Sequence, residues 1–285
     1  MNGARLRRPA DVEFAAMLCL YRNNDADEVL SALRSAFEEQ SYPPAQLIVV
    51  FDGPVPEAVN QVVEAFEARH PVLRIVHPEC RGHGPARAAA IDACSYPWIA
   101  IIDADDISAG DRFEALCGVI ADHPDTAVVG GGLTEFHMEN GRRVAGATVL
   151  YPETPDDVRR YIRTRSPVAQ PTSMLRVQAI RDVGNYRSWF NNEDYHLWIR
   201  LVSAGYAIRN VQKPLLQFRT SPDLFRRRGG VTYWWNEVKL QLFSYRHGTT
   251  TLGSLVTGAM VRFVVQVCMP GAVRQMFYKR VLRQS

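Results

Sequence analysis

The chain has 285 residues, of which 47% are hydrophobic and 22% are charged, and its formal net charge is +3. This composition is that of a globular protein and excludes a disordered chain, and the length suffices for one large domain or for a domain with an appendage. The five cysteines are odd in number and form no CxxC pair, so they suggest neither a disulfide framework nor a zinc site and favour a reducing, cytoplasmic setting.

Short apolar runs alternate with helix-period segments along the first part of the chain. Strands are predicted at FAAMLCL, QLIVVFD, LRIVH and WIAIID. Helices are predicted between and after them, on the basis of Val29, Leu30, Leu33 and Phe37; Val59, Val62, Val63 and Phe66; ARAAAIDAC; and Phe113, Leu116 and Ile120. Apolar strands that alternate with helices indicate a parallel sheet covered on both faces, so we expect an α/β fold.

Polar residues follow three of the predicted strands. They are Tyr21 and Asn23 after the first strand, Asp52 at the end of the second, and Asp103, Asp105 and Asp106 at the end of the fourth. Because the carboxyl ends of parallel strands meet at one edge of a sheet, we expect a ligand site there. Carboxylates at such an edge can hold Mg²⁺ or Mn²⁺, and these ions commonly accompany a phosphorylated substrate.

Each of these features has a plain structural alternative. Asp105 or Asp106 could cap the next helix, although one cap accounts for one aspartate and not for three. Asp52 could be an ordinary turn residue before Gly53. The connection RGHGPARAAAI fits neither the P-loop nor the dinucleotide fingerprint, but its backbone N–H groups and Arg87 could face a diphosphate.

The order of the motifs resembles the family 2 glycosyltransferases, which are inverting enzymes of the GT-A fold. The resemblance covers residues 14 to 220, and the matching segments are YRNND, VVFDGP, RGHGPARAAAI, IIDADDIS, QPTSMLR and NNEDYHLWIRL. It is strongest to bacterial members that build capsule, exopolysaccharide or lipopolysaccharide chains. The resemblance implies a Rossmann-like, mostly parallel central sheet with helices on both faces, followed here by a C-terminal helical extension.

The resemblance also implies a role for each acidic motif. Asp52 would contact the base or ribose of the nucleotide, Asp103 the ribose region, and Asp105 a metal ion on the donor's diphosphate. Glu193 and Asp194 match the family's ED pair, whose aspartate is the general base, although an acidic first turn of a helix is the structural alternative. The predicted catalytic residues are thus Asp194 and Glu193, the metal ligands are Asp105, Asp103 and Asp106, and the nucleotide-sugar site comprises Tyr21, Asn23, Asp52, Arg87, Asp103 and Asp105.

The chain departs from the family pattern at several positions. A single Asp52 follows Phe51 where many members have two aspartates, and Ala88 stands in the usual ARN-x-G segment. Gln170 stands where relatives often carry histidine, which would alter acceptor or diphosphate contacts. His83 and His196 could line the site, but satisfaction by a neighbouring backbone group is the commoner state of a lone histidine.

The charge is divided unevenly along the chain. Residues 213–285 carry 12 Lys and Arg against Asp223 and Glu237, a balance of +10, which leaves −7 for residues 1–212. We divide the chain into a catalytic domain (1–220; donor part about 12–130, acceptor part about 131–220) and a basic, amphipathic helical tail (221–285). The tail is expected to lie on an anionic membrane surface, with packing on the catalytic domain or a homodimer contact as alternatives, and it has no nucleic-acid-binding signature.

The stretch LGSLVTGAMVRFVVQVCM in this tail favours an interfacial helix over a membrane span, because Arg262 and Gln266 interrupt it. No apolar secretory signal precedes the first strand, so we expect a peripheral protein on the cytoplasmic face of the membrane.

The predicted function is metal-dependent, inverting transfer of a sugar from a nucleotide-sugar donor, most simply a UDP-sugar, to a hydroxyl of a lipid-linked or polysaccharide acceptor. Two alternatives are a sugar nucleotidyltransferase and a catalytically degenerate, membrane-associated scaffold. The first would need a glycine-rich, basic triphosphate loop, which YRNND does not supply.

Overall fold

A computed structural model describes residues 12–189, 192–220 and 230–269. The strands are β1 (Phe14–Leu20), β2 (Gln46–Asp52), β3 (Val72–His77), β4 (Trp98–Ile102), β5 (Ile107–Ser108), β6 (Thr126–Glu139), β7 (Arg142–Val149), β8 (Met174–Arg176) and β9 (Ala207–Arg219). The helices are α1 (Ala26–Ala36), α2 (Glu57–Glu67), α3 (His83–Ala93), α4 (Arg112–Asp122), α5 (Pro155–Tyr161), α6 (Val177–Asp182), α7 (Glu193–Ser203), α8 (Val231–Arg246) and α9 (Leu252–Phe263). A 3₁₀ turn covers Gln170–Thr172, and a π-helical turn, Val264–Cys268, follows α9.

The strands form one sheet in the order β3-β2-β1-β4-β8-β6-β9-β5, and β7 pairs with β6. Strands β3, β2, β1 and β4 are parallel neighbours, and β6 is parallel to β9. Strand β8 is antiparallel to both of its neighbours, β4 and β6. The carboxyl ends of β2, β1 and β4 therefore lie side by side, as the sequence predicts.

Helices cover both faces of the sheet, because each central strand is apolar on both of its sides. Phe14, Leu18 and Leu20 of β1 pack in the layer that contains α1, α2 and α4, whereas Ala15 and Met17 pack in the layer that contains α3, α6 and α7. This period-2 alternation between two apolar layers confirms the predicted α/β architecture.

Helix α1 contains one local error of the sequence prediction. Leu30 is 37% exposed, whereas Val29 and Leu33 are fully buried. Position 30 lies about 100° further round the helix than Val29, and so it leaves the buried face.

The predicted division of the catalytic domain near residue 130 falls inside β6, so the donor and acceptor parts share one sheet. The domain boundaries themselves stay predictions. In the tail, α8 and α9 form a helical hairpin in which the Gly230 N–H donates to the Gln266 carbonyl and the Trp234 indole donates to the Ala259 carbonyl. Two parts of the predicted basic tail, residues 221–229 and residues 270–285 with Arg274, Lys279, Arg280 and Arg283, lie outside the described residues. Across the described ranges, every helix is too short or too polar to cross a membrane.

Candidate active site

A small cavity lies where β1 and β2 end. It has a volume of about 180 Å³, and its lining includes the predicted residues Tyr21 and Asp52, together with Cys80 and Gly82 from the loop before α3 and His83, the first residue of α3. The His83 ring meets the Tyr21 ring edge-on, with 5.6 Å between the centroids. His83 thus lines the site, while Asn23 is exposed in the same turn.

Asp52 holds the loop that forms one wall of this cavity. Its carboxylate accepts hydrogen bonds from the Arg81 and Gly82 N–H groups, each at 2.8 Å, and from the Cys80 thiol at 3.2 Å. The His77 ring lies 3.0 Å away. Burial opposes ionisation of Asp52, but these hydrogen bonds more than offset it and hold the pKa of Asp52 below its usual value.

Two glycines allow the loop to approach this carboxylate. Gly53 has a φ of +83°, and a Cβ there would lie 2.8 Å from the Cys80 backbone nitrogen. Gly82, the residue before α3, has a φ of +93°. Both positions are in the left-handed region, where only glycine is unstrained. These two glycines therefore allow the turn after β2 and the loop before α3 to pack closely together.

The three aspartates at the end of β4 are not equivalent. Asp103 and Asp105 are partly exposed, whereas Asp106 is buried. One oxygen of Asp106 accepts from the Arg219 N–H at 2.9 Å, and the other has no partner within the described residues. Burial and the neighbouring carboxylate of Asp103 raise the pKa of Asp105 to about 6, and burial and both neighbours raise the pKa of Asp106 well above its usual value.

The helix-capping alternative for these aspartates is wrong. Helix α4 begins at Arg112, and the residue before it is Asp111 rather than Asp105 or Asp106. The segment after Asp106 instead forms the short strand β5, which pairs with the end of β9. The acidic segment therefore lies at the sheet edge and is neither part of the next helix nor its cap.

A buried cation lies beneath the acidic segment. Arg112 is fully buried and donates to the carbonyls of Ile101 at 2.7 Å and Pro171 at 2.6 Å. Burial lowers the pKa of Arg112 to about 10, against the opposing effect of Asp106 and Asp103, so the side chain stays charged at neutral pH. Arg112 thus joins the end of β4 to the turn that carries Gln170, and it supplies part of the positive charge that three adjacent carboxylates require.

Arg87 brings the end of β4 and the start of α7 together. Its guanidinium lies 2.6 Å from Glu193 and 3.5 Å from Asp103, and the side chain is buried. Burial disfavours the charge of Arg87, but the two carboxylates more than offset it and raise its pKa above the usual value. The predicted contact between Arg87 and a diphosphate stays a prediction.

Glu193 and Asp194 occupy the first turn of α7. The acidic-turn alternative and the ED-pair interpretation therefore agree on where these residues lie. Asp194 is partly buried, and burial together with the charge of Glu193 raises the pKa of Asp194 to about 6. An aspartate with this pKa is a stronger base than an ordinary aspartate and is still ionised at neutral pH.

The described residues contain no group of three or more His, Cys, Asp or Glu side chains arranged to hold a metal ion. Asp103, Asp105 and Asp106 therefore do not form a three-carboxylate cage by themselves. One reason is that Asp106 turns an oxygen towards the Arg219 backbone in the interior.

Sequence reasoning missed the ion pair that closes this side of the site. Arg219, at the end of β9, lies 3.1 Å from Glu28 of α1, and its Nε donates to the Asp105 carbonyl at 3.3 Å. No local motif links these positions, because they meet only when β9 pairs with β5.

Two further residues singled out in the sequence, Gln170 and His196, are both buried. Gln170 donates to the Tyr186 hydroxyl at 2.9 Å in the buried region beside Arg87. His196 does not line the site: it stacks between Trp189 and Phe243, with centroid distances of 4.5 and 4.2 Å. Its Nδ1 has no partner in the part of the chain that the structure describes, so the expected backbone contact at that atom is not formed.

The fold is that of the GT-A glycosyltransferases, as predicted. TarS of S. aureus in complex with UDP-GlcNAc matches with a TM-score of 0.64 and 16% identity over 94% of this chain and 76% of that chain. The mannosyltransferase PcManGT from Pyrobaculum calidifontis, solved with GDP-Man and Mn²⁺, matches with a TM-score of 0.54 and 16% identity over 94% of this chain and 80% of that chain.

The family model described as Glycosyl transferase family 2 matches residues 18–184, and the chain belongs to this family. Amylovoran biosynthesis glycosyltransferase AmsE of Erwinia amylovora is 26% identical over 82% of this chain and 84% of the relative. The UDP-Gal:alpha-D-GlcNAc-diphosphoundecaprenol beta-1,3-galactosyltransferase of Escherichia coli is 25% identical over 95% of this chain and 97% of the relative. The protein is therefore a glycosyltransferase.

Proposed function

We propose that the protein transfers a sugar, with inversion, from a UDP-sugar to a hydroxyl of a lipid-linked or polysaccharide acceptor during bacterial cell-surface glycan synthesis. The observation that carries the proposal is the bridge from Arg87 to both Glu193 and Asp103, which makes the ED pair and the acidic strand end neighbours. The names of the relatives support the substrate classes, since one acts in amylovoran biosynthesis and another uses UDP-Gal and a diphosphoundecaprenol-linked acceptor.

The donor's nucleotide would occupy the cavity beside Asp52, with Tyr21 and His83 as aromatic walls. Because Asp52 already holds the loop at Arg81 and Gly82, its part in donor binding is to fix that wall, while any remaining acceptor capacity contacts the base or ribose. The diphosphate would extend towards Asp103 and Asp105.

The acidic strand end fits a divalent cation, Mn²⁺ or Mg²⁺. Sites of this kind take one or two protein carboxylates and complete their coordination with substrate phosphates and water, so Asp105 and Asp103 suffice as ligands. Asp106, whose second oxygen is buried without a partner within the described residues, supports them. A raised pKa, as found for Asp105, is expected of a partly buried carboxylate when the positive charge of the cation is absent. When bound, the cation would offset the negative charge that grows on the leaving diphosphate.

Asp194 is the proposed general base, and Glu193 is its neighbour held by Arg87. In an inverting displacement the acceptor oxygen bonds to the anomeric carbon as the bond to the diphosphate breaks. The proton of the hydroxyl goes to Asp194, and the electron pair of the broken bond leaves with the diphosphate. Even with a pKa of about 6, Asp194 is too weak to ionise an alcohol in advance, so it takes the proton late and its position matters most.

The proposal is tested by measuring UDP release from a UDP-sugar in the presence of a glycan or polyprenyl-linked acceptor, with Mn²⁺ and with EDTA. We expect release with Mn²⁺ and its loss with EDTA, restored by adding the metal back. Equal rates under both conditions would refute metal dependence. Absence of release with UDP-, GDP- and dTDP-sugars alike would refute sugar transfer.

A further inference from the structure

The C-terminal helical hairpin presents apolar side chains outwards. On α8 the exposed stripe consists of Val231, Trp235, Leu242 and Tyr245, and on α9 it consists of Leu252, Val256, Met260 and Phe263; these side chains are between 39% and 66% exposed. In each helix the four positions lie within about a quarter of a turn of one another, because they are spaced by three, four or seven residues. Each helix therefore carries one continuous apolar stripe.

The buried face of α8 has the opposite character. Glu237, Gln241 and Ser244 are buried there, together with Leu240. Helix α9 buries none of its side chains. A helix on a water-exposed surface normally buries its apolar stripe and exposes polar residues, so this hairpin has the reverse arrangement. An apolar stripe of this extent marks an interaction surface.

The charges around the stripes identify the partner. Glu237 is the only acidic residue between positions 230 and 269, and its carboxylate pairs with Arg262 at 3.4 Å. Lys239 and Arg246 of α8 are exposed. The adjoining sequence adds Arg226, Arg227 and Arg228 before α8 and four further Lys or Arg residues, with no acidic residue, from position 270 onwards. The described hairpin thus carries exposed cations beside its apolar stripes, and its one carboxylate is already paired; the sequence on both sides of it is also rich in Lys and Arg.

We propose that the outer stripes of α8 and α9 dock onto an anionic membrane surface. A basic surround attracts anionic lipid headgroups, whereas it opposes association with a second copy of the same positively charged surface. Trp235 and Tyr245 within the stripe are the residue types enriched at membrane interfaces. Because the apolar side chains lie on one side of each helix and α8 is polar on its other side, the docking is interfacial.

The hairpin is also joined to the candidate base. Asn192, the residue before Glu193 and Asp194, donates to the Glu237 carboxylate at 2.6 Å. Arg262 pairs with the other oxygen of Glu237 and donates to the Thr164 carbonyl at 2.7 Å. Docking of the hairpin would thus hold the start of α7 at the membrane surface, where a lipid-linked acceptor presents its hydroxyl. This last step rests on the proposed function, whereas the docking itself does not.

Vesicle flotation tests the docking without donor, metal or acceptor. The full chain is mixed with vesicles of phosphatidylcholine alone or of phosphatidylcholine with about one third phosphatidylglycerol. We expect binding to the anionic vesicles, loss of binding at high salt, and a reduction of about tenfold or more for Met260→Glu, which puts a charge in the exposed stripe that docking would bury in the membrane. Lys239→Gln should reduce binding about fivefold, the value of one interfacial cation.

Two matched controls lie on the β6–β7 hairpin. Met138→Glu places the same change at an exposed methionine of β6, and Arg142→Gln removes an exposed cation of β7, so both should bind like the wild type. Equal binding by the wild type and Met260→Glu would overturn the proposal. So would a wild-type dimer in solution that Met260→Glu converts to a monomer, since the stripes would then be a subunit interface.

The same variants separate this proposal from the proposed function. Met260→Glu should lose vesicle binding yet keep wild-type UDP release with a water-soluble acceptor analogue. Vesicle binding without sugar transfer by the wild type would overturn the proposed function alone, and sugar transfer without vesicle binding would overturn the docking alone.

Discussion

The acidic groups at two neighbouring places of the sheet edge have pKa values that are shifted in opposite directions. At the end of β2, Asp52 accepts hydrogen bonds from two backbone N–H groups and a thiol, and its pKa is lowered. At the end of β4 and the start of α7, Asp105 and Asp194 are held near other carboxylates in partly buried surroundings, and the pKa of each is raised to about 6. Contacts within the protein stabilise the charge of Asp52, whereas they destabilise the charges of Asp105 and Asp194.

This difference supports a structural role for Asp52 and the proposed chemical roles of Asp105 and Asp194. Ionised Asp52 stabilises the fold, because the native state binds its proton less tightly than the unfolded chain does. Ionised Asp105 and Asp194 cost stability, and a fold retains such groups where a ligand or a proton compensates for them. The predictions below change one place or the other, and the largest expected effect comes first.

Asp194→Asn should reduce sugar transfer by about 10²- to 10⁴-fold, the usual contribution of a general base. The amide keeps the size of the side chain but cannot accept the proton of the acceptor hydroxyl. Initial rates of UDP release at saturating donor and acceptor measure this effect. Asp122→Asn, at an exposed aspartate that ends α4, is the matched control and should transfer at the wild-type rate. Wild-type-like transfer by Asp194→Asn would assign the base to another group.

Asp52→Asn should lower the free energy of unfolding by about 1 to 3 kcal/mol at pH 7, because an amide cannot accept all the hydrogen bonds that the carboxylate accepts. Since the folded-state pKa of Asp52 is depressed, its stabilisation is present above the unfolded value of about 3.9 and is lost as pH falls through the folded pKa. Urea unfolding at neutral and acidic pH checks both statements. A variant as stable as the wild type at pH 7 would contradict a structural role for Asp52.

Asp194→Asn should have the opposite effect on stability and raise the free energy of unfolding by about 1 to 2 kcal/mol at pH 8 without ligands. The raised pKa means that the stabilisation by Asp194 is complete below the unfolded value of about 3.9 and is lost as pH rises through about 6. The variant escapes this loss, so its advantage should shrink below pH 6 and vanish near pH 4. Melting temperatures across this range test the sign. A variant less stable than the wild type at pH 8 would contradict the conclusion that the charge of Asp194 is destabilised in the folded protein.

His196→Phe should change stability by less than about 1 kcal/mol and leave transfer unchanged. His196 is buried between two aromatic rings, and burial together with Arg200 lowers its pKa to about 4, so it is neutral above pH 5. Phenylalanine preserves the stacking and removes a ring nitrogen that lacks a partner within the described residues. Chemical unfolding and initial rates are the measurements. A large loss of transfer would mean that His196 takes part in the chemistry, which would contradict its structural role.

The sequence predicted the sheet, and the strand ends that meet at one edge of it, because both follow from local patterns. Apolar runs alternating with helix-period segments indicate parallel strands, and parallel strands bring Asp52 and Asp103 to one edge. The assignment of Glu193 and Asp194 to the site came instead from a family resemblance, since an acidic helix start alone has an ordinary explanation, and no pattern predicts the contact between Glu193 and Arg87.

The rest depends on contacts between distant parts of the chain. Arg112 reads as an ordinary first residue of a helix, and nothing local shows that it is fully buried beneath Asp106. The pairing of Arg219 with Glu28 depends on the register between β5 and β9. Asp52 was expected to contact the nucleotide, and no motif indicates that Arg81 and Gly82 already occupy much of its hydrogen-bonding capacity.

The most direct test of one shared site is calorimetric binding of a UDP-sugar with Mn²⁺ to the wild type, Asp105→Asn and Asp194→Asn. Asp105→Asn should lose donor affinity, because a ligand for the cation on the diphosphate is gone, and Asp194→Asn should bind donor like the wild type, because the base acts only on the acceptor. Wild-type donor affinity in Asp105→Asn, or its loss in Asp194→Asn, would contradict the assignment of these two carboxylates.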